Sequence, residues 1–495
     1  MAIKRYLADL DTTITDAFKS DLTTRGTGSN MGASDILETF SIYAQATTSS
    51  LERSRVLTRF PIDTIVTDRT NSDIPASGSV NFYLRLYNAP HGQTLPRSFT
   101  LTVAPVSRSW DEGHGLDMEE YTDLTHDKTG SNWINAAFGV TWTAEGGDYH
   151  TGSRYDVSFD RGTEDIEVDI SSLVEQWITG SASGGYDNYG VGIFLTASQE
   201  SGSNRTYYTK KFFSRTSEFF FKKPTLEARW DSSEKDNRNN FYYSSSLAPA
   251  ADNLNTLYLY NYVRGQLKNI PSIGKNNIYV DLYSGSAGVP SNKLKMSPGG
   301  GVSALGSVST GSWVSAGIYS ASVSITAAAT PLTTLHDVWH NGSTTTQFFT
   351  GTITPVSFSV SMNNPNPSYV SAITNLRSTY DTNETSARIR LYTRLRNWNP
   401  NIYTVASTNI ETSIVEDTYY KVFRIADDLE VIKYGTGSLN ETRLSYDKDG
   451  SYFDLDMSLL EPGYAYGLKF VYYINNAYRE QPETFKFRVD QKQKQ

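Results

Sequence analysis

Cysteine is absent from this chain of 495 residues. That removes disulfides, thiolate metal sites and thiol catalysis at once. Positive charge is short as well: 44 Lys and Arg stand against 53 Asp and Glu, a formal net charge of −9. No arginine- or lysine-rich run offsets that balance, so neither nucleic acid nor an anionic membrane is an expected partner. No stretch approaches the roughly 18 apolar residues of a membrane helix. The opening Met1-Ala2-Ile3-Lys4-Arg5-Tyr6 passes into polar sequence without an apolar export core, so a product made in a cytoplasm is expected.

Aromatic residues are plentiful instead, with 33 Tyr and 22 Phe. With Ser, Thr, Asn and Gly they favour strands and turns over helices. A chain of this length exceeds one β-sandwich, and several domains are expected. Phe82, Leu84 and Leu86 fall on one face of a strand, with Tyr83, Arg85 and Tyr87 on the other. Residues 257–262, 278–283, 391–396 and 468–473 also read as strands, and Asp447-Lys448-Asp449-Gly450 fits a tight hairpin turn. In the first domain a helix is expected only around 16–22, within an insertion that reads as a surface loop or as a docking arm for a neighbouring subunit. Residues 231–240 hold no apolar side chain and read as a polar linker. The resulting division is a sandwich at 1–230, the linker at 231–240, a second sandwich at 241–355, an Ig-like sandwich at 356–490 and a frayed tail at 491–495. Gly299-Gly300-Gly301 marks a loop in the second of these.

Between 107 and 149 stand Ser109-Trp110-Asp111-Glu112-Gly113, then Trp133, then Trp142 and Gly146-Gly147-Asp148-Tyr149. No helical period links the tryptophans, and bulky rings between turn residues suit a sandwich whose long loops fold over its core. Upstream are Ala8-Asp9, Thr12-Thr13-Ile14, Asn30-Met31-Gly32-Ala33-Ser34 and a strand from Arg53 to Phe60; downstream are Val168-Asp169-Ile170-Ser171-Ser172-Leu173-Val174 with Trp177, and Arg229-Trp230. In this order these pieces resemble the DNRLRE-type domain, a jelly-roll module of bacterial cell-surface proteins and tailed-phage virion proteins. The likeness spans about residues 6–230. It implies an N-terminal jelly-roll-like β-sandwich; with the strand patterns beyond it, the chain is expected to be all-β, that sandwich being followed by two smaller Ig-like β-sandwich domains. It further implies a non-enzymatic structural protein of a tailed bacteriophage particle, in the neck, tail or fibre. Such a protein would reside in the virion, form a homo-oligomer and assemble with other virion proteins.

The alternative is a carbohydrate-binding adhesion or receptor-binding protein that meets a host-surface glycan. Trp110, Trp133 and Trp142 are its candidate stacking platforms, since a flat ring suits the C–H face of a sugar. The same rings suit plugs for the sandwich ends, and that is the favoured expectation.

Catalytic patterns are thin. His336-Asp337-Val338-Trp339-His340 has the spacing of a zinc-protease motif, but Asp replaces its Glu and the flanks oppose a helix, so strand or loop histidines are expected. Asp111 with Glu112, and Glu119 with Glu120, are adjacent acids that diverge in a strand and cap turns in a loop, which does not suit glycoside hydrolysis. Asp165, Glu167 and Asp169 share a strand face, open either to calcium or to solvent alone. No catalytic residue, metal or cofactor is assigned.

Overall fold

The protein is described by a computed structural model covering residues 2–92, 96–116, 130–202, 204–286, 289–296, 308–326, 332–343, 346–356, 366–398, 402 and 412–491. Glu119 and Glu120, the triple glycine at 299–301 and the tail at 492–495 lie outside the described residues. The fold is all-β: a jelly-roll-like sandwich followed by two smaller Ig-like sandwiches. Two compact units result, Ala2–Asp231 and Ser232–Gln495. Among the described residues no helix is long and apolar enough to cross a membrane.

In the first unit a four-stranded sheet runs Ile3–Leu7, Thr225–Arg229, Asn81–Leu86, Ile166–Asp169. It packs on a seven-stranded sheet ordered Thr206–Phe213, Ile36–Tyr43, Leu51–Arg59, Val191–Leu195, Phe99–Pro105, Tyr155–Phe159, with Leu10–Thr15 beside Leu51–Arg59. Phe82, Leu84 and Leu86 point into the core between the sheets, as their alternation requires. The Val168–Trp177 stretch has a clear local logic. Asp169, the last residue of its strand, accepts Ser171 N at 2.9 Å where the helix Ser171–Thr179 begins, and that helix buries Leu173, Val174 and Trp177.

Two expectations fail. Residues 16–22 form no helix; among the described residues the α-helices of this unit are Ile62–Asn71, Ser171–Thr179 and Ala197–Ser201. Long-range bonds take the polar groups of 16–22 instead. The Asp16 carboxylate holds Arg53 at 2.8 Å, and Glu52 accepts Phe18 N at 2.9 Å. Gly26 N returns to Ala17 O at 2.8 Å, so the insertion folds back on its own sheet rather than standing out as an arm.

The second correction concerns 231–240. Residues 234–240 are not a free linker but a strap built into the second unit. Tyr446 N donates to Glu234 O at 2.9 Å and Asp236 N to Tyr446 O at 3.0 Å, which adds a short run of parallel pairing. Arg238 reaches buried Asp337 at 2.5 and 2.7 Å. A composition without apolar residues proved compatible with a packed position because Glu234, Asp236, Asn237 and Arg238 each meet a partner.

Within that unit, one sheet runs Asn255–Tyr260, Ile318–Val323, Ser309–Ser315, Ile278–Ser286, Leu335–His340, Gln347–Ile353 and curls around Leu257, Val280, Tyr319 and Trp339. The last sandwich pairs a four-stranded sheet built on Ala387–Leu395 and Gly450–Leu455 with a sheet built on Thr418–Arg424 and Tyr464–Ile474. The hairpin turn at Lys448-Asp449 joins Ser445–Asp447 to Gly450–Leu455 with Asp447 opposite Gly450.

Candidate functional site

The residues singled out between 107 and 149 converge on one region of the first sandwich, and Asn30 is the post they gather around. Its Oδ1 accepts Gly32 N at 3.1 Å and Gly115 N at 3.0 Å; its Nδ2 donates to Glu112 O at 2.7 Å and Ser131 O at 2.8 Å. The amide's two donors and two lone pairs are all used. Gly113, at φ +80°, has to be glycine for space as well as for backbone angle: a Cβ there would lie 2.3 Å from Asn30 Oδ1.

The Glu112 side chain then meets Asp11. It accepts Asp11 N at 2.8 Å and Arg215 Nε at 2.5 Å, while Asp11 accepts Arg215 N at 2.6 Å. Asp111 stays exposed, so the two adjacent acids do diverge. Asp11 is only 1% exposed, and burial pushes its carboxyl up to about 7, against the pull of Arg215. A carboxyl held above its unfolded value of roughly 3.9 binds its proton more tightly in the native state, so this contribution to stability grows as pH falls from about 8 towards 4. The first unit is therefore expected to resist urea better at pH 5.5 than at pH 8, by about 1–3 kcal/mol. Asp11→Asn should flatten that dependence; an unaltered pH profile in the variant would assign the titration to another group.

The three tryptophans do not offer sugar platforms. Trp110, Trp133 and Trp142 are 6%, 0% and 5% exposed and close around Ile14, Leu57, Val106 and Ala136. Stacking on a glycan needs an open ring face, and none is available, so the expectation of a binding role at Trp110, Trp133 and Trp142 is corrected to a plug. Trp110 and Trp142 satisfy their indole N–H groups on Tyr189 O at 2.8 Å and Asn132 O at 2.9 Å. Trp133 lies beneath the guanidinium groups of Arg53 and Arg55, 4.9 and 5.3 Å from its ring. Arg55 is itself fixed by Glu200 at 2.6 Å and Gly146 O at 2.9 Å. Gly146 and Gly147 let the chain pass this close to the rings: a Cβ on Gly146 would stand 2.8 Å from Trp133.

The remaining candidates are also in structural use. Asp165 accepts Asn88 N at 2.7 Å, Glu167 pairs with Arg229 at 2.7 Å, and Asp169 accepts Ser171 N at 2.9 Å, so Asp165, Glu167 and Asp169 are not gathered around a common point. His336 and His340 lie in the strand Leu335–His340. No group of three or more metal-binding side chains occurs among the described residues. What the sequence reading missed is the role of Asp11 and Arg215. Both sit in plain polar surroundings, and only the fold brings them to Glu112 across 101 and 103 positions.

No protein-family model matches the chain, and no curated protein does. Among solved structures, the FN1–FN3 domains of chicken CNTN1 are 9% identical, covering 59% of this chain and 84% of that one, with a TM-score of 0.13.

Proposed function

We propose that this chain is a non-enzymatic structural protein of a tailed-phage particle, a component of the neck, tail or fibre that works by protein–protein assembly, as a homo-oligomer among other virion proteins. The observation that carries the reading is a short hairpin with an apolar tip. The strands Asn135–Ala137 and Val140–Thr141 turn at Phe138, which is 66% exposed, with Ile134 and Val140 also exposed beside it. Its base is locked on the tryptophan plug: Trp142 N donates to Ile134 O at 2.9 Å, and Asp111 N to Ala136 O at 3.0 Å. Exposed apolar side chains on a preorganised element suit a partner contact, because little ordering is left to offset on docking. Leu7, Phe219 and Phe220 form further exposed apolar surface on the same unit. The ordered resemblance across about 6–230 supplies the kind of assembly.

Nuclease-resistant, virus-sized fractions from a density gradient of the source culture are expected to contain the chain, by peptide mass spectrometry, at a fixed ratio to a capsid protein. Recovery only in cell envelopes or free in the medium would overturn the reading. Recognition of a host-surface glycan is the second reading, and with the tryptophans enclosed it requires another surface.

A further inference from the structure

We infer that a cleft on the first sandwich of the second unit is a carbohydrate-binding site. This goes beyond the assembly reading and stands or falls apart from it. The cleft is shallow and open, about 470 Å3, and is lined by Ser272, Ile273, Lys275, Asn276, Asn277, Tyr279 and Asn341. Small-molecule sites occupy roughly 300–1,000 Å3. Asn276 and Asn277 directly precede the strand Ile278–Ser286, and Asn341 directly follows Leu335–His340. Those strands are neighbours, with Tyr279 opposite His340, so the rim hangs on paired backbone.

Tyr279 is held from behind. Its ring lies nearly parallel to that of buried His340, at 21° with centroids 6.0 Å apart. Gly342, at φ +94°, runs so close that a Cβ there would stand 3.2 Å from the tyrosine ring. The amides of Asn276 and Asn277 make no side-chain hydrogen bond among the described residues, and Asn341 uses only its Oδ1, on Ser343 N at 3.1 Å.

The chemistry of this set selects a class of ligand. A primary amide presents a donor and an acceptor side by side, as a pair of neighbouring sugar hydroxyls does in return. The half-buried Tyr279 ring adds an aromatic edge of the kind that packs on the C–H groups of a pyranose. Lys275, whose ammonium lies 4.7 Å from the Trp313 ring, supplies one positive charge and favours a sugar that carries a carboxylate. A phosphate ligand calls for more than the single cation Lys275, and an apolar ligand for more apolar lining than Ile273 and the Tyr279 ring supply.

The test is binding of the full chain to an array of immobilised oligosaccharides that includes neutral hexoses, N-acetylhexosamines and uronic acids. Retention on a subset is expected, uronic acids foremost, with Asn277→Ala and Tyr279→Ala each weakening it about tenfold or more and Tyr279→Phe keeping most of it. Asn277→Ala should melt like the native chain because its side chain is exposed and unbonded. Failure of the native chain to bind any sugar, or binding that both alanine variants leave intact, would overturn the site. Particle association is measured without sugar, so the two readings fail separately.

Discussion

Trp133→Ala is expected to lower the stability of the first unit by about 3–5 kcal/mol, the range for removing a fully enclosed tryptophan ring. For a unit of this size that corresponds to a fall in melting temperature of about 6–20 °C, read by thermal denaturation. Two contributions add. The cavity left at a site of 0% exposure cannot fill with water cheaply, because its walls are Ile14, Leu57 and Val106. Arg53 and Arg55 also lose the ring their guanidinium groups rest on. A sugar-stacking tryptophan would behave in the opposite way, leaving the melt unchanged and removing only binding. An undisturbed melt would therefore restore the ring to the candidate ligand platforms.

Arg238→Ala is expected to cost the second unit a similar amount, about 3–5 kcal/mol, because it strands a buried carboxylate. Asp337 is 0% exposed and holds Arg238 at 2.5 and 2.7 Å and Trp339 Nε1 at 2.7 Å. One indole N–H is too little to keep that charge inside. Removing both charges should be much milder, so Arg238→Met combined with Asp337→Leu is expected to recover most of the loss. The urea midpoint of the second unit reads both variants. Equal loss in the single and double variants would mean that the strap's backbone pairing, not the charge pair, holds it in place.

The strands were legible wherever one face is buried. In Asn81–Leu86 and Asn255–Tyr260 the aliphatic residues alternate, and they enter the core as period two requires. The tryptophans were legible as plugs in preference to sugar platforms, but the sequence could not close the question, since a ring that plugs a sandwich end and a ring that meets a sugar have the same neighbours in sequence. Residues 16–22 misled because local propensity was outweighed by Arg53 and Glu52, more than thirty positions away. The strap misled for a related reason. Polar composition reports how a segment meets water when alone, and Glu234, Asp236 and Arg238 are not alone: Tyr452 OH, Tyr446 and Asp337 await them. The cleft left almost no mark, because Gly274-Lys275-Asn276-Asn277 reads as an ordinary turn before a strand.

The strap also ties the folding of the second unit to the order of synthesis. Glu234 N binds Ser445 Oγ at 2.9 Å across 211 positions. At ribosomal speeds of about 5–20 residues per second, Glu234 emerges on the order of 10–40 s before that partner. Arg238 meets Asp337 earlier, after 99 positions, so one anchor closes while Glu234 still faces water. The two sandwiches of this unit are thus not beads on a string. A ribosome stalled, or a protease cutting, between them leaves the first one with a half-filled seam, and the nascent chain carries that seam exposed until Ser445, Tyr446 and Tyr452 arrive.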